Sequence, residues 1–526
     1  DEQFKSPKHP DYLETDKLKQ GSFSASTSEA FSYNGDLNIA FGKLFVEKHQ
    51  VNVVGGWSFS ENKNKRDGYS VVGFNDDLHM NPAFSTGFTD GQKPNYSLER
   101  SRSTSFFMNV NYSFMNRYLM DFNVRSDGTS KFGANKRFST TWSVGLAWNL
   151  HNEEFMKSLG LFTNFKIRAS VGNPGNQNFD AYQAMKIYKY NVELQNMFGS
   201  SAIIDQFGNK DLDWQRTLDK NIGVDISMLR NRIRVTLDYY YKDTDPLLIS
   251  VPMPPSVGVG SINANAGRQL SWGWNGSIFG TVIQKQDLSW TLNANFRTSK
   301  SEYRDIGDKL NEFNELGSAQ SLVRYYEGAS PDDMWAVPSL GIDPATGAEM
   351  FRKKDGSQTF IYSTADEVVV GCSRPDVEGV IGSSFYYKGF SASVNFRYRL
   401  GGEVMASALY SKVENISEEQ IYYNQDKRAL HDRWKQPGDK AKFKSIKDNS
   451  ATPMSSRFVR TENTFSGESI SMGYESSAVW IKKIGAEGVT FRAYMNDIFR
   501  VSSFKEERGT DYPFARTVSF SLSLRF

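Results

Sequence analysis

The sequence predicts an all-β chain, and more narrowly a transmembrane antiparallel β-barrel. Three observations predict it. Apolar and polar residues alternate strictly in stretch after stretch, the links between stretches are short on one side and long on the other, and aromatic residues make up 14% of a chain whose mean hydropathy is only −0.53. One alternating strand would fit a soluble sheet with one face on a core equally well. The prediction therefore rests on repetition and on what the polar side contains.

The C-terminal stretch "RTVSFSLSLRF" shows the pattern in its simplest form. Val518, Phe520, Leu522, Leu524 and Phe526 share one face, and Ser519, Ser521, Ser523 and Arg525 the other, a period of two that only a strand makes amphipathic. "RYLMDFNVRSD", "TWSVGLAWNL", "FKIRASVG", "NIGVDISM", "RIRVTLDYYYK", "LSWTLNANFR", "FSASVNFRYRL" and "VTFRAYMN" repeat it. Roughly sixteen stretches qualify, each near the ~10 residues a tilted spanning strand needs. They begin near residues 22, 36, 50, 103, 116, 140, 161, 218, 231, 270, 287, 377, 389, 468, 488 and 515.

Very short links at 115–116, 229–231, 284–286, 388 and 483–487 alternate with excursions over 61–101, 173–213, 244–267, 300–376, 401–467 and 499–514. Up-and-down strands would put every long segment on one side. Outer-membrane barrels have this parity, with short periplasmic turns and long extracellular loops. The segment "HNEEFMKSLG" lengthens one short side and reads as an amphipathic turn of helix, and the same parity puts Phe526 at the periplasmic rim.

Composition narrows function by exclusion. A net charge of +2, from 62 basic and 60 acidic residues, supplies no field to attract nucleic acid. A single cysteine, Cys372, excludes an internal disulfide and a thiolate zinc cluster, and five scattered histidines form no helical metal motif. Neither "GVGSINANAG" nor "GNPGNQ" opens a helix after a strand, so both read as loops and not as phosphate cradles. "DPATG" at 343–347 and "PDD" at 331–333 lack the ligand spacing of a calcium loop, leaving a loop calcium as a minor alternative to no cofactor. No nucleophile motif accompanies any histidine, so no enzyme is expected.

If the apolar face meets lipid, the polar face lines the lumen, and its many charges need water or a polar plug beside them. By the parity of the links, Arg125, Asp127, Tyr240, Lys242, Arg397 and Arg399 lie inward near the extracellular mouth, where cargo would bind. Arg117, Lys166 and Arg234 lie deeper, where a plug would sit. Outer Tyr118, Trp142, Trp148, Trp272 and Trp290 read as interfacial girdle residues. The long loops hold Met334, Trp335, Tyr422, Tyr423 and Trp434. Exposed apolar residues of this kind tend to mark a partner surface, the alternative being that the loops bury them on one another.

"NRYLMDFNVRSDGTSKFG", "RFSTTWSVGLAWNLHNEEFMKS", "FKIRASVGNPGNQ", "LDYYYKDTDPLL", "GIDPATGAEMF", "YKGFSASVNFRY" and the terminal "SLSLRF", taken in order, resemble the barrel of SusC/RagA-type TonB-dependent transporters from about residue 100 onward. The resemblance implies a plugged barrel of about 22 strands. It also implies TonB as energy-coupling partner, a SusD-like surface lipoprotein as a lid over the mouth, and import of oligosaccharides or oligopeptides across the outer membrane. Residues 1–526 then correspond to the C-terminal barrel portion, about sixteen strands, with the plug domain and first strands expected from the remaining N-terminal part of the same transporter. A soluble multi-domain glycan-binding β protein and a passive porin remain the alternatives.

Overall fold

The computed structural model describes all residues except 13–14, 76–80, 90–91, 132–136, 177–184, 198, 209–214, 254, 266, 312–313, 315–320, 418, 423, 479–480, 482–484 and 505–515. Fifteen long strands form one antiparallel sheet. They are β1 (Ser22–Phe45), β2 (His49–Val72), β3 (Asn95–Phe114), β4 (Tyr118–Thr129), β5 (Phe138–Asn149), β6 (Phe162–Asn173), β7 (Gln215–Met228) and β8 (Ile233–Thr244), followed by β9 (Arg268–Lys285), β10 (Leu288–Arg297), β11 (Val377–Tyr387), β12 (Phe390–Leu400), β13 (Thr464–Ser476), β14 (Gly488–Ser502) and β15 (Val518–Arg525). Each pairs with the next in chain order, so the sheet is a pure up-and-down meander. The short strand Glu2–Lys5 pairs with the start of β1. Among the described residues no pairing joins β15 to β1.

The strand starts expected near 22 and 36 belong to the single strand β1, whose pairing with β2 runs unbroken from Ser22 to Phe45. Asn34 and Gly35 form a dipeptide that commonly signals a hairpin. Here Gly35 stays extended because the Phe59 ring lies over it, and a Cβ at Gly35 would come 2.5 Å from that ring. The excursion expected over 61–101 is likewise mostly strand, since β2 continues to Val72 and β3 begins at Asn95. The periplasmic turns are as tight as the short links suggest. Met115 and Asn116 take φ of 51° and 55°, the left-handed pair of a type I′ hairpin.

Register sorts the side chains by face. Phe122 pairs with Val144, Phe491 with Leu522 and Ala493 with Phe520, while Asn123 pairs with Ser143 and Arg492 with Ser521. The apolar face stays bare: Leu146, Ile222, Ile278 and Phe520 are 56%, 55%, 50% and 68% exposed. An apolar surface this extensive is a membrane surface. No helix among the described residues is long and apolar enough to cross a membrane, so the strands do the crossing. Tyr118 and Trp148 stack at 6.1 Å near the periplasmic end of this face.

The buried apolar clusters sit under the extracellular segments. Leu247, Tyr303, Ile306 and Leu310 form one, and Leu322, Ala336 and Val459 another. Segments 300–376 and 401–467 fold against each other as a cap. Val337 bridges to Ser455, and the Ser339 N–H donates to Ser456 Oγ at 2.9 Å. Arg457 lies 2.8 Å from both Glu349 and Glu414, all three nearly buried.

Candidate functional site

At the extracellular end of the polar face, β4 to β10 enclose a cavity of about 820 Å³. Alternation explains its chemistry: each strand turns every second residue inward, and at this height those residues are amides, hydroxyls and charges. Asn123 and Arg125 come from β4, Asp219 and Asn221 from β7, and Tyr240 and Lys242 from β8. Arg297 at the end of β10 and Arg374 from the following segment complete the cationic wall.

Three of these four cations are tied down. Arg125 Nε donates to buried Asp127 at 2.7 Å, and Asp127 also accepts from Ser105 Oγ. Lys242 Nζ is 3.2 Å from Asp219, its cross-strand partner, and lies over the Tyr240 ring. Arg374 Nε is 2.7 Å from Asp332. The Arg297 guanidinium makes no hydrogen bond or ion pair among the described residues. Tyr240 is itself buried and donates to Ser299 Oγ at 2.8 Å, so its hydroxyl braces the rim.

Of the six residues expected at the mouth, Arg125, Tyr240 and Lys242 line this cavity and Asp127 supports Arg125 from behind. Arg397 and Arg399 lie on β12, engaged elsewhere: Arg397 Nε is 3.0 Å from Glu468, and Arg399 approaches Glu378 at 3.7 Å and Glu462 at 3.8 Å. Of the three deeper residues, Arg117 closes the periplasmic turn between β3 and β4. It pairs at 3.1 Å with Glu153, which also accepts from Tyr118 and Trp148 beside the short helix Glu154–Lys157. Arg234 stacks 4.2 Å over the Phe279 ring, and Lys166 stands across from Asp225 in register. Below the cavity Arg168 bridges Asp225 at 3.0 Å and Asp238 at 2.7 Å, neutralising the lumen wall.

The amides Asn123, Asn221 and Asn275 are lining residues that charge-counting passes over, although the alternation of "DFNVR", "KNIGV" and "WNGSI" puts each on the polar face. Arg374 follows no periodicity and is visible only in three dimensions.

In the cap, Met334 packs on the Leu322, Ala336 and Val459 cluster, and the Trp335 ring meets Tyr326 at 4.6 Å. Trp434 donates to the Pro344 carbonyl at 2.9 Å and covers Gly347. Tyr422 is 87% exposed, and Tyr423 lies outside the described residues. The acids of the two loop motifs are engaged locally. Asp343 accepts from Thr346 N at 3.0 Å and Oγ1 at 2.6 Å, hydrogen bonds that hold its carboxyl below the usual carboxylate range. Asp333, pushed upward by burial, accepts from Ser330 N. Among the described residues no group of three or more His, Cys, Asp or Glu could hold a metal ion. Arg457, which burial alone would pull down, is held above the ordinary arginine value by Glu349 and Glu414.

An antiparallel meander with a lipid-facing apolar side, a charged lumen side and loops massed at one end defines an outer-membrane β-barrel protein. The chain belongs to the TonB dependent receptor-like β-barrel family, whose model matches residues 6–367. It is 24% identical over 521 residues to TonB-dependent receptor P39 of Formosa agariphila, covering 88% of this chain and 49% of the relative. It is 26% identical over 463 residues to TonB-dependent receptor SusC of Bacteroides thetaiotaomicron, covering 81% and 44%. The solved RagAB peptide transporter shares the fold with a TM-score of 0.79 at 21% identity, over 92% of this chain and 53% of that one. The chain thus spans about half the length of the relatives it matches.

Proposed function

We propose that this chain is the barrel of an outer-membrane importer of oligomeric nutrients, oligosaccharides or oligopeptides, driven through TonB and covered by a SusD-like surface lipoprotein. The observation that carries the proposal is the cavity on the lumen face, walled by seven adjacent strands and lined with hydroxyls, amides and four cations, three of them ion-paired. Such groups exchange hydrogen bonds with a polar cargo without covalent chemistry, so no enzymatic step is invoked. Family membership supports energy coupling, and a further segment of the transporter would supply the plug and the strands that close the free edges of β1 and β15, because unpaired backbone cannot face lipid.

In this reading Arg125, Tyr240, Lys242 and Arg297 contact cargo, Arg397 and Arg399 continue the cationic wall toward β12, and Arg117, Lys166 and Arg234 face the plug. The test is uptake of size-fractionated labelled oligosaccharides and peptides by cells carrying the intact transporter, with and without a protonophore. Energy-dependent uptake that falls about tenfold in Lys242→Ala, the loss expected when a charged hydrogen-bonding partner is removed, supports the proposal. Uptake indifferent to the protonophore would instead identify a passive porin.

A further inference from the structure

The outer face of β1 to β3 carries a charged cluster that transport does not use. On β3 the odd residues point inward: Ser105 donates to Asp127, and the Arg125 guanidinium lies over the Phe107 ring. The even residues Phe106, Thr104, Arg102 and Arg100 therefore face outward, in register with Trp57, Phe59, Glu61 and Lys63 of β2. Trp57 and Phe59 meet at 5.1 Å, Trp57 stacks on Phe106 at 6.3 Å, and Trp57 Nε1 donates to Thr104, forming a small aromatic belt. Immediately above it Glu61, only 7% exposed, accepts from the Tyr33 hydroxyl at 2.8 Å, from Arg102 Nε at 2.9 Å and from Arg100 Nε. Lys63 is exposed, and its ammonium makes no ion pair or hydrogen bond among the described residues.

Height identifies the environment. Glu61 is twelve residues up β2 from the periplasmic end at His49. At about 3.3 Å per residue and a tilt of about 40°, that is roughly 30 Å, the thickness of the hydrocarbon core. The row of Lys63, Arg100 and Arg102 thus stands at the polar boundary of the outer leaflet, directly over aromatic side chains of the kind that mark that boundary. Arg100 and Arg102 share the Glu61 carboxylate, and the Lys63 ammonium beside them has no ion-pair partner among the described residues, so this row keeps a positive charge facing the leaflet. One row higher the sign reverses, because Glu29 and Asp67 flank Lys65 at 3.8 and 3.0 Å. An anion is therefore favoured only at the lower row, where acyl chains could lie along the Trp57 and Phe106 surface beneath it.

We infer that Lys63, Arg100 and Arg102 form a binding site for the phosphate-bearing headgroup of an outer-leaflet glycolipid. Guanidinium forks suit phosphate oxygens, and Glu61 with Tyr33 pre-orients both forks, so less side-chain freedom is lost on binding. The site would fasten the β1–β3 wall in the leaflet, independently of cargo. The protein extracted from its own outer membranes in mild detergent tests this by native mass spectrometry, counting phosphoglycolipid retained per barrel. Arg100→Gln with Arg102→Gln should lower retention about tenfold at unchanged β-sheet circular dichroism. The cap variant Lys353→Gln should leave retention unaltered. Should the double variant not fold, Lys63→Gln, which disturbs no partner, should still lower retention about two- to threefold. Equal retention in the folded variants would overturn the inference, and displacement of the lipid by millimolar inorganic phosphate would overturn its lipid specificity in favour of a simple phosphate site.

Discussion

At the residue scale the deciding fact is how sharply neighbouring positions differ. Phe520 pairs with Ala493 on the bare apolar face, and Ser521 pairs with Arg492 on the polar one. Phe520→Arg should cost about 2–4 kcal/mol if the apolar face meets mid-bilayer lipid, while Ser521→Arg should cost far less because its new charge enters the lumen. Folding yield into lipid vesicles, titrated with urea, reads both values, and equal effects would refute the facing. A second contrast lies in the cap. Arg324 and Glu367 are 1% and 3% exposed and share two hydrogen bonds, Nε to Oε2 at 2.8 Å and Nη2 to Oε1 at 2.7 Å. Removing one partner of such a pair leaves an uncompensated buried charge, so Arg324→Met should destabilise the cap by about 3–5 kcal/mol, whereas Arg324→Met with Glu367→Leu should recover much of the loss. Protease cleavage rates within segment 300–376 check the order.

At the scale of elements, alternation was enough to locate strands and assign their faces, because a period of two leaves a strand no second way to sort Val144 from Ser143. It did not show where strands end. Above the bilayer both faces of β1, β2 and β3 turn polar, alternation fades, and "ENKNKRDGYS" looks like loop although it is paired backbone throughout. Of the six residues expected at the mouth, half line the cavity, namely Arg125, Tyr240 and Lys242 on strands with clear periods. Arg374 was hidden because its position depends on how segment 300–376 folds back. Gly35 marks the other blind spot, since a local turn signal was overridden by a cross-strand ring. Gly35→Val should therefore clash with Phe59 and destabilise the β1–β2 hairpin by about 1–3 kcal/mol. In the Phe59→Ala background the same substitution should cost much less or become favourable, since valine suits a strand better than glycine. A double-mutant cycle on refolding yield measures the coupling, and additive effects would remove the Phe59 explanation.

At the scale of the whole molecule, the cap connects the cavity to whatever lies outside the cell. Segments 300–376 and 401–467 share the Glu349, Arg457 and Glu414 network, so neither is an independent loop. The cap packs the half-buried Met334 on its apolar cluster and seats Trp434, yet leaves Tyr422, Leu430 and Ile361 at 87%, 64% and 77% exposure. Apolar side chains left in water on the extracellular segments are the feature a lid protein would cover. The expected outcome is that a SusD-like lipoprotein co-purifies with the intact transporter, and that Tyr422→Ser with Ile361→Ser lowers its stoichiometry while the network keeps the cap folded. Arg457→Ala should act differently: by leaving Glu349 and Glu414 buried without their cation it should loosen both segments, exposing them to protease and releasing the lipoprotein together, with the barrel still resistant to heat in detergent. Full retention of the partner after both sets of substitutions would remove the cap from the interface and direct the search to the upper ends of β1 to β3.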